Sequence, residues 1–158
     1  MGLQQDILFG KYNEKKVISF LNKHKNKDDY FKAYKLERKQ VDFKNKTIIG
    51  ELKTRTCSHD FYPDTMFGFN KMEYLRQKRQ LKENETRQFI FYFLFTTGLY
   101  KWEYKEGCEK EYRLADYIHK EKGPMPYCYV KKEFLECIST DITSKTQLDK
   151  DYLDYMVN

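Results

Sequence analysis

The chain has 158 residues, of which 34% are charged and 17% aromatic, with a formal net charge of +6. That length fits one buried core with little room for a second, and the apolar content argues against disorder over most of the chain. The longest unbroken apolar run, residues 89–95, is too short to cross a bilayer as a helix, and no charged-then-apolar leader opens the sequence, so a soluble, intracellular protein without membrane association is expected.

The basic residues are 24 Lys and six Arg, a bias that AT-rich coding produces. It means that contacts to phosphate would be mostly point charges rather than bidentate forks. The positive excess suits a polyanionic partner, and equally an ordinary soluble protein. The four cysteines show no CxxC pair and no zinc-ligand spacing with the three histidines, and read as reduced, mostly structural thiols.

In chain order, residues 4–24 read as a helix bent or interrupted near Gly10, with Val17, Ile18 and Leu21 as its apolar stripe. Glu14 falls on that stripe, three residues before Val17. A carboxylate on a core-facing side is costly unless it is paired or binds a cation. Residues 25–29 form a charged loop, 30–36 a strand, and 38–43 with 46–56 a hairpin turning around Lys44 to Lys46. Residues 57–70 carry the turn chemistry of a long loop ending at Asn70 as helix cap. Residues 71–82 read as a helix, with Asn84 as its stop. The unalternating run 89–95 suits a central strand covered on both faces. Residues 99–105 alternate aromatic with charged side chains, as a half-exposed or edge strand does. Residues 109–122 read as a helix stopped by Gly123 and Pro124, 126–130 as a short strand, and the last 20 or so residues as loop and short helix.

The hairpin holds the chemistry. Side chains alternate along a strand, so Ile49, Glu51 and Lys53 share one face and Ile48, Gly50 and Leu52 the other. With Asn45 and Lys46 as a two-residue turn, Asp42 lies opposite Ile49 and diagonal to Glu51, while Val41 and Phe43 join the apolar face. Two carboxylates so close repel unless a positive charge lies between them. Mg²⁺ or Mn²⁺ answers that need, and Lys53 on the same face can orient water or stabilise charge on a phosphate oxygen. A solvated, charged hairpin face is the plainer alternative.

A helix with an inward Glu14, a strand with Asp42 in "VDF", a strand with Glu51-Leu52-Lys53 in "GELK", then a basic helix and a buried strand: this order resembles the PD-(D/E)XK nuclease superfamily. The resemblance covers about residues 10–97. It implies a mixed α+β fold with a central mixed sheet flanked by helices, an α-β-β-β-α-β core, and residues 98–158 as added strands and helices on a single domain. It further implies that Asp42, Glu51 and the backbone carbonyl of Leu52, with Glu14, hold Mg²⁺ or Mn²⁺, and that Lys53 assists the attacking water. Val41 stands where the family often has Pro, and the literal Pro63-Asp64 pair lies after the Glu-x-Lys strand, in the wrong order.

The expected activity is metal-dependent hydrolysis of phosphodiester bonds in DNA, in preference to RNA, by an endonuclease that is structure-selective or weakly sequence-selective; junction resolution, repair trimming, restriction and exonuclease activity all fit. A nuclease-like nucleic-acid-binding or scaffold protein that does not cut, or an RNA endonuclease, is the alternative. Helix 71–82 has an excess of four positive charges. Lys71, Tyr74 and Lys78 on it, with Arg55, His59 and Tyr62 beyond the Glu-x-Lys strand, are the candidate nucleic-acid contacts. His59 is also a candidate acid for the leaving oxygen, although a lone loop histidine is more often a surface residue. His24 is a weaker candidate ligand, past the end of the first helix. Homodimerisation is expected to use residues 99–105 and the aromatic C-terminal third.

Overall fold

The computed structural model describes residues 3–33 and 42–144, with side chains from Ile7 onward. Val41, residues 34–36 of the first expected strand, and the expected C-terminal helix beyond residue 144 lie outside that range. The fold is mixed α+β, with two α-helices and two sheets among the described residues.

Helix α1 (Leu3–Asn22) runs through Gly10 without a break; no atom outside its own helix comes within 4 Å of a Cβ built there. Its Asn22 side chain closes the following turn onto Phe31, donating to the Phe31 carbonyl (3.1 Å) and accepting from its N–H (2.7 Å). Three strands follow: β1 (Lys32–Ala33), β2 (Phe43–Lys44) and β3 (Ile48–Thr54), each antiparallel to the one before. The chain then forms β4 (Asp64–Gly68), where the sequence suggested only a loop, and α2 (Phe69–Arg79), capped by Gly68 rather than Asn70. β5 (Gln88–Phe95) returns parallel to β3, as a helical crossover requires. β6 (Gly98–Tyr104) turns back antiparallel to β5, and its other side pairs with β9 (Glu136–Ser139). β6 is therefore internal to a six-stranded sheet, not the edge its alternation suggested, and its backbone is not open to a second copy.

Residues 109–122 are not a helix. Tyr112–His119 is β7, paired along its length with β8 (Gly123–Lys131), and β8 also pairs with β4 to make a three-stranded sheet. Tyr, Leu and Ile at alternate positions favour extended chain once a partner strand is present, and cross-strand pairing overrides a weak helical pattern. Gly123, at φ +70°, permits the turn. Pro124 and Pro126 sit where β8 has outrun β4, so their missing N–H groups cost the sheet little. Beyond Arg79 the described helical segments are short 3₁₀ turns only.

The two faces of the large sheet are covered differently. On one, Val17 of α1 packs with Phe31, Phe43, Leu52, Tyr92 and Leu94. On the other, α2 and the small sheet bury Phe67, Met72, Leu75, Phe91, Phe93 and Trp102. Phe67 stacks on Phe91 with centroids 4.0 Å apart, and this contact joins the two sheets. As expected for a central strand, β5 is buried on both faces from Phe89 to Phe95. No helix among the described residues is long and apolar enough to cross a membrane. All four cysteines are unpaired, with Cys108 and Cys128 buried in the core.

Two substitutions test this packing. Phe67→Ala is expected to cost about 3–5 kcal/mol in urea unfolding, and a loss below about 1 kcal/mol would mean the sheets are joined elsewhere. At Gly50 an added Cβ would lie 2.6 Å from Cε2 of the Phe43 ring. Gly50→Ala is therefore expected to destabilise by about 1–3 kcal/mol, and an unchanged urea midpoint would contradict the close approach of β2 to β3.

Candidate metal and phosphodiester site

The site begins with a turn. Asn45 accepts through Oδ1 from the N–H groups of Thr47 (3.0 Å) and Ile48 (2.7 Å), and its amide donates to the Asp29 carbonyl (3.1 Å). These bonds put Lys46 and Thr47 at the tip, one residue later than the sequence suggested. Phe43 consequently faces Gly50 and Lys44 faces Ile49, a register two residues away from the expected one. A two-residue shift keeps every side chain on its expected face, so Phe43 still packs with Ile48 and Leu52.

Asp42 is the exception. Its N–H reaches the Gly50 carbonyl (3.1 Å), although Gly50 already faces Phe43, so the strand bulges as it ends. Its carboxylate Oδ2 accepts from the Leu52 N–H at 2.8 Å. Asp42 thus lies at the sheet's edge rather than on the Glu51 face. From that edge its charge reaches Glu14 on the α1 side and Glu51 on the α2 side, raising the pKa of both. N–H and C=O of one strand residue point the same way, so the Leu52 carbonyl is turned to this same edge.

Glu51 is 2% exposed, on the face that includes Ile49 and opposite Phe91 of β5. Its Oε1 meets two ammonium groups, Lys53 Nζ at 3.5 Å and Lys71 Nζ at 3.4 Å. Its Oε2 is buried with no hydrogen-bond partner of good geometry. Burial raises the Glu51 pKa to about 8, the Asp42 charge and a carboxyl–carboxyl hydrogen bond to Asp42 add to the rise, and Lys53 and Lys71 offset part of it. Glu14 is pushed up to about 7, again mainly by burial and then by Asp42, against the pull of Lys11. Glu14, Asp42, Leu52 and Lys53 line one open cleft of about 440 Å³.

This arrangement brings together Glu14, Asp42, Glu51, Leu52, Lys53 and Lys71. Among the described residues no group of three or more His, Cys, Asp and Glu side chains is close enough to hold a metal by itself. Mg²⁺ is commonly held by one or two carboxylates with retained waters, so Asp42, Glu51 and the Leu52 carbonyl fit such an ion. A buried, unpartnered carboxylate oxygen is the feature that asks for one.

The remaining candidates lie elsewhere. Tyr74 packs against the core, and Lys78 sits over its ring at 5.3 Å. On the same helix Arg76 donates to the Tyr104 hydroxyl (2.7 Å) and Arg79 to the Tyr104 carbonyl, so part of the basic character of α2 is used within the protein. Arg55 donates to the Met66 carbonyl, and burial lowers its pKa. His59 stacks on Tyr100 (4.7 Å) with Nδ1 2.8 Å from Thr97 Oγ1, while Tyr62 is exposed against Phe61. Arg55, His59 and Tyr62 line a second cavity together, separate from the carboxylates. His24 is exposed and does not line the carboxylate cleft. The sequence did not single out Lys11, whose link to Glu14 is one helical turn of spacing. No protein-family model matches the chain, and no curated protein or solved structure matches it.

A pH dependence follows. In the unfolded chain both glutamates ionise near 4.5, whereas in the fold Glu14 keeps its proton to about 7 and Glu51 to about 8. The folded state therefore holds more protons across that interval, and without divalent cations stability falls as pH rises from about 4.5 to about 8. Glu51→Gln is expected to remove the larger part of this fall. Urea midpoints in EDTA at both ends of the interval measure it, and a flat profile would contradict the burial of Glu51 beside Asp42.

Proposed function

We propose that this chain is a Mg²⁺- or Mn²⁺-dependent nuclease that hydrolyses phosphodiester bonds in DNA. The observation that supports it most is Glu51: a carboxylate buried in mid-strand, with one oxygen unpartnered, the edge carboxylate Asp42 beside it and two lysines on its other oxygen. Burial and the Asp42 charge keep a proton on Glu51 up to about pH 8, and a divalent ion between the two carboxyls would take that proton's place. The resemblance to PD-(D/E)XK nucleases rests on the same residues in the same chain order, with Glu14 behind them.

Asp42, Glu51 and the Leu52 carbonyl would hold the ion, with Glu14 placed to hold a water next to Asp42. The ion, when bound, supplies positive charge against a phosphoryl oxygen and makes water a better nucleophile near neutral pH. Lys53 shares the cleft with Asp42 and is free to leave Glu51 for that water or for the oxygen that gathers charge. Lys71, from the first turn of α2, approaches Glu51 from the opposite element and is placed to hold a backbone phosphate. With Tyr74 against the core, Lys78 over its ring and Arg76 and Arg79 donating to Tyr104, a narrow phosphate contact near Lys71 is favoured over one spread along the helix. A DNA substrate is preferred to RNA here on the resemblance alone.

One observation favours a second reading. Glu51 Oε1 already carries two ammonium groups, a partial neutralisation that a nuclease-like nucleic-acid-binding protein without catalysis would also tolerate. Cleavage assays on supercoiled plasmid, linear duplex, branched DNA and RNA decide between them. Cutting is expected with Mg²⁺ or Mn²⁺ and none with EDTA, with Asp42→Ala and Lys53→Ala each slowing it about 100-fold or more. Binding without cutting by the wild-type chain supports the second reading, and neither binding nor cutting excludes both.

A further inference from the structure

The second cavity lies where β3 has ended, between the two sheets, and encloses about 430 Å³. Its walls include Phe95, Tyr62, Tyr117 and Tyr129, with Arg55 and Asp64 among its polar groups. Arg55 faces the same side of the large sheet as Glu51 and Lys53, since its N–H continues the ladder by donating to the Leu94 carbonyl (2.8 Å). At a rise of about 3.3 Å per residue it stands roughly 7 Å beyond Lys53.

Arg55 is the anomaly. It is half-buried in the cavity wall, and a single carbonyl, that of Met66, accepts from its fork of donors. No carboxylate among the described residues pairs with it. Asp64, in the same cavity, pairs instead with Arg113 at 3.4 Å. A guanidinium set in a cavity wall with donors to spare suits an acceptor-rich ligand. Aromatic walls call for a flat one. A bare phosphate meets the first demand and not the second.

We infer that this cavity accepts a single unstacked nucleobase, guanine by preference, from a strand whose backbone passes Lys53. The inference deepens the nuclease reading and rests on it for the passage of that strand. Guanine presents O6 and N7 to Arg55 as paired acceptors, the commonest pairing of arginine with a base. Its N1–H and amino group donate toward the carboxylate of Asp64. Tyr62, 58% exposed, stands at the rim and stacks on the base as it enters. Tyr117, 44% exposed on the β7–β8 hairpin, lines the same cavity. A nuclease with this cavity would choose among strand positions by the base it extrudes near the cut.

The test uses the full-length chain in EDTA, so that binding is read without cleavage. Fluorescence anisotropy compares thymidine 12-mers that carry, at one central position, a guanine, an adenine or an abasic residue. The guanine strand is expected to bind about tenfold more tightly than the abasic one, with adenine between. Arg55→Met should abolish the preference of guanine over adenine, and Tyr62→Ala, at an exposed position, should weaken both base-containing strands while leaving the abasic strand unchanged. Equal affinity for the three strands, or a preference that survives both variants, overturns the inference. Base preference in a chain that does not cut with Mg²⁺ or Mn²⁺ upholds the cavity and defeats the nuclease reading, whereas cutting without base preference does the reverse.

Discussion

A carboxylate in the middle of a sheet sets the terms for everything around it. Glu51 occupies a position on β3 that faces Phe91 and could have held another apolar side chain. Burying it ionised is unfavourable by several kcal/mol unless charge and hydrogen bonds compensate. Lys53 from its own strand and Lys71 from α2 reach one of its oxygens, while Asp42, just before β2, sets a second carboxylate beside it. Burial and that neighbour push the Glu51 pKa up to about 8.

The rest of the architecture keeps that point rigid. Phe67, Phe91 and Trp102 lock the small sheet and the large one together behind Glu51, with centroid separations of 4.0 to 6.2 Å. α2 leaves β4 directly, so the stack that joins the sheets also aims the first turn of α2, and with it Lys71, at Glu51. On the opposite face α1 packs through Val17, which carries Glu14 to the Asp42 edge. Close packing on both faces gives the carboxyls little freedom to move apart, which is what a preorganised ion site requires.

The sequence made the faces of β3 and of Phe43 legible because side-chain alternation depends only on parity. The hairpin turn fell one residue later than its polar residues suggested and the register moved by two, which left those faces as expected, but Asp42 left the Glu51 face for the sheet's edge. The edge position of Asp42 was not legible, since it depends on a bulge set by the Asn45 hydrogen bonds and by Gly50, whose lack of a Cβ lets the Phe43 ring approach. β5 was legible from its apolar run, because few structures other than a central strand bury seven such residues in succession. β4 and β7 were not. Their sequences, "DTMFG" and "YRLADYIH", are short or ambiguous by themselves, and they become strands only through pairing with β8. The cavity walled by Tyr117 and Tyr129 stayed hidden for the same reason, since both belong to the hairpin that was read in part as a helix. Arg55 and Tyr62 were singled out as nucleic-acid contacts, and the structure gathers them away from Asp42 and Glu51, around their own cavity.

The central claim is that the bare oxygen of Glu51 and the carboxylate of Asp42 share a divalent cation. Crystals grown with Mn²⁺ and measured at its absorption edge test this most directly. The account predicts one strong anomalous peak about 2.1–2.2 Å from Glu51 Oε2 and from a carboxylate oxygen of Asp42, with the Leu52 carbonyl in its coordination shell. No peak there, with Glu51 protonated and still held by Lys53 and Lys71, would contradict it.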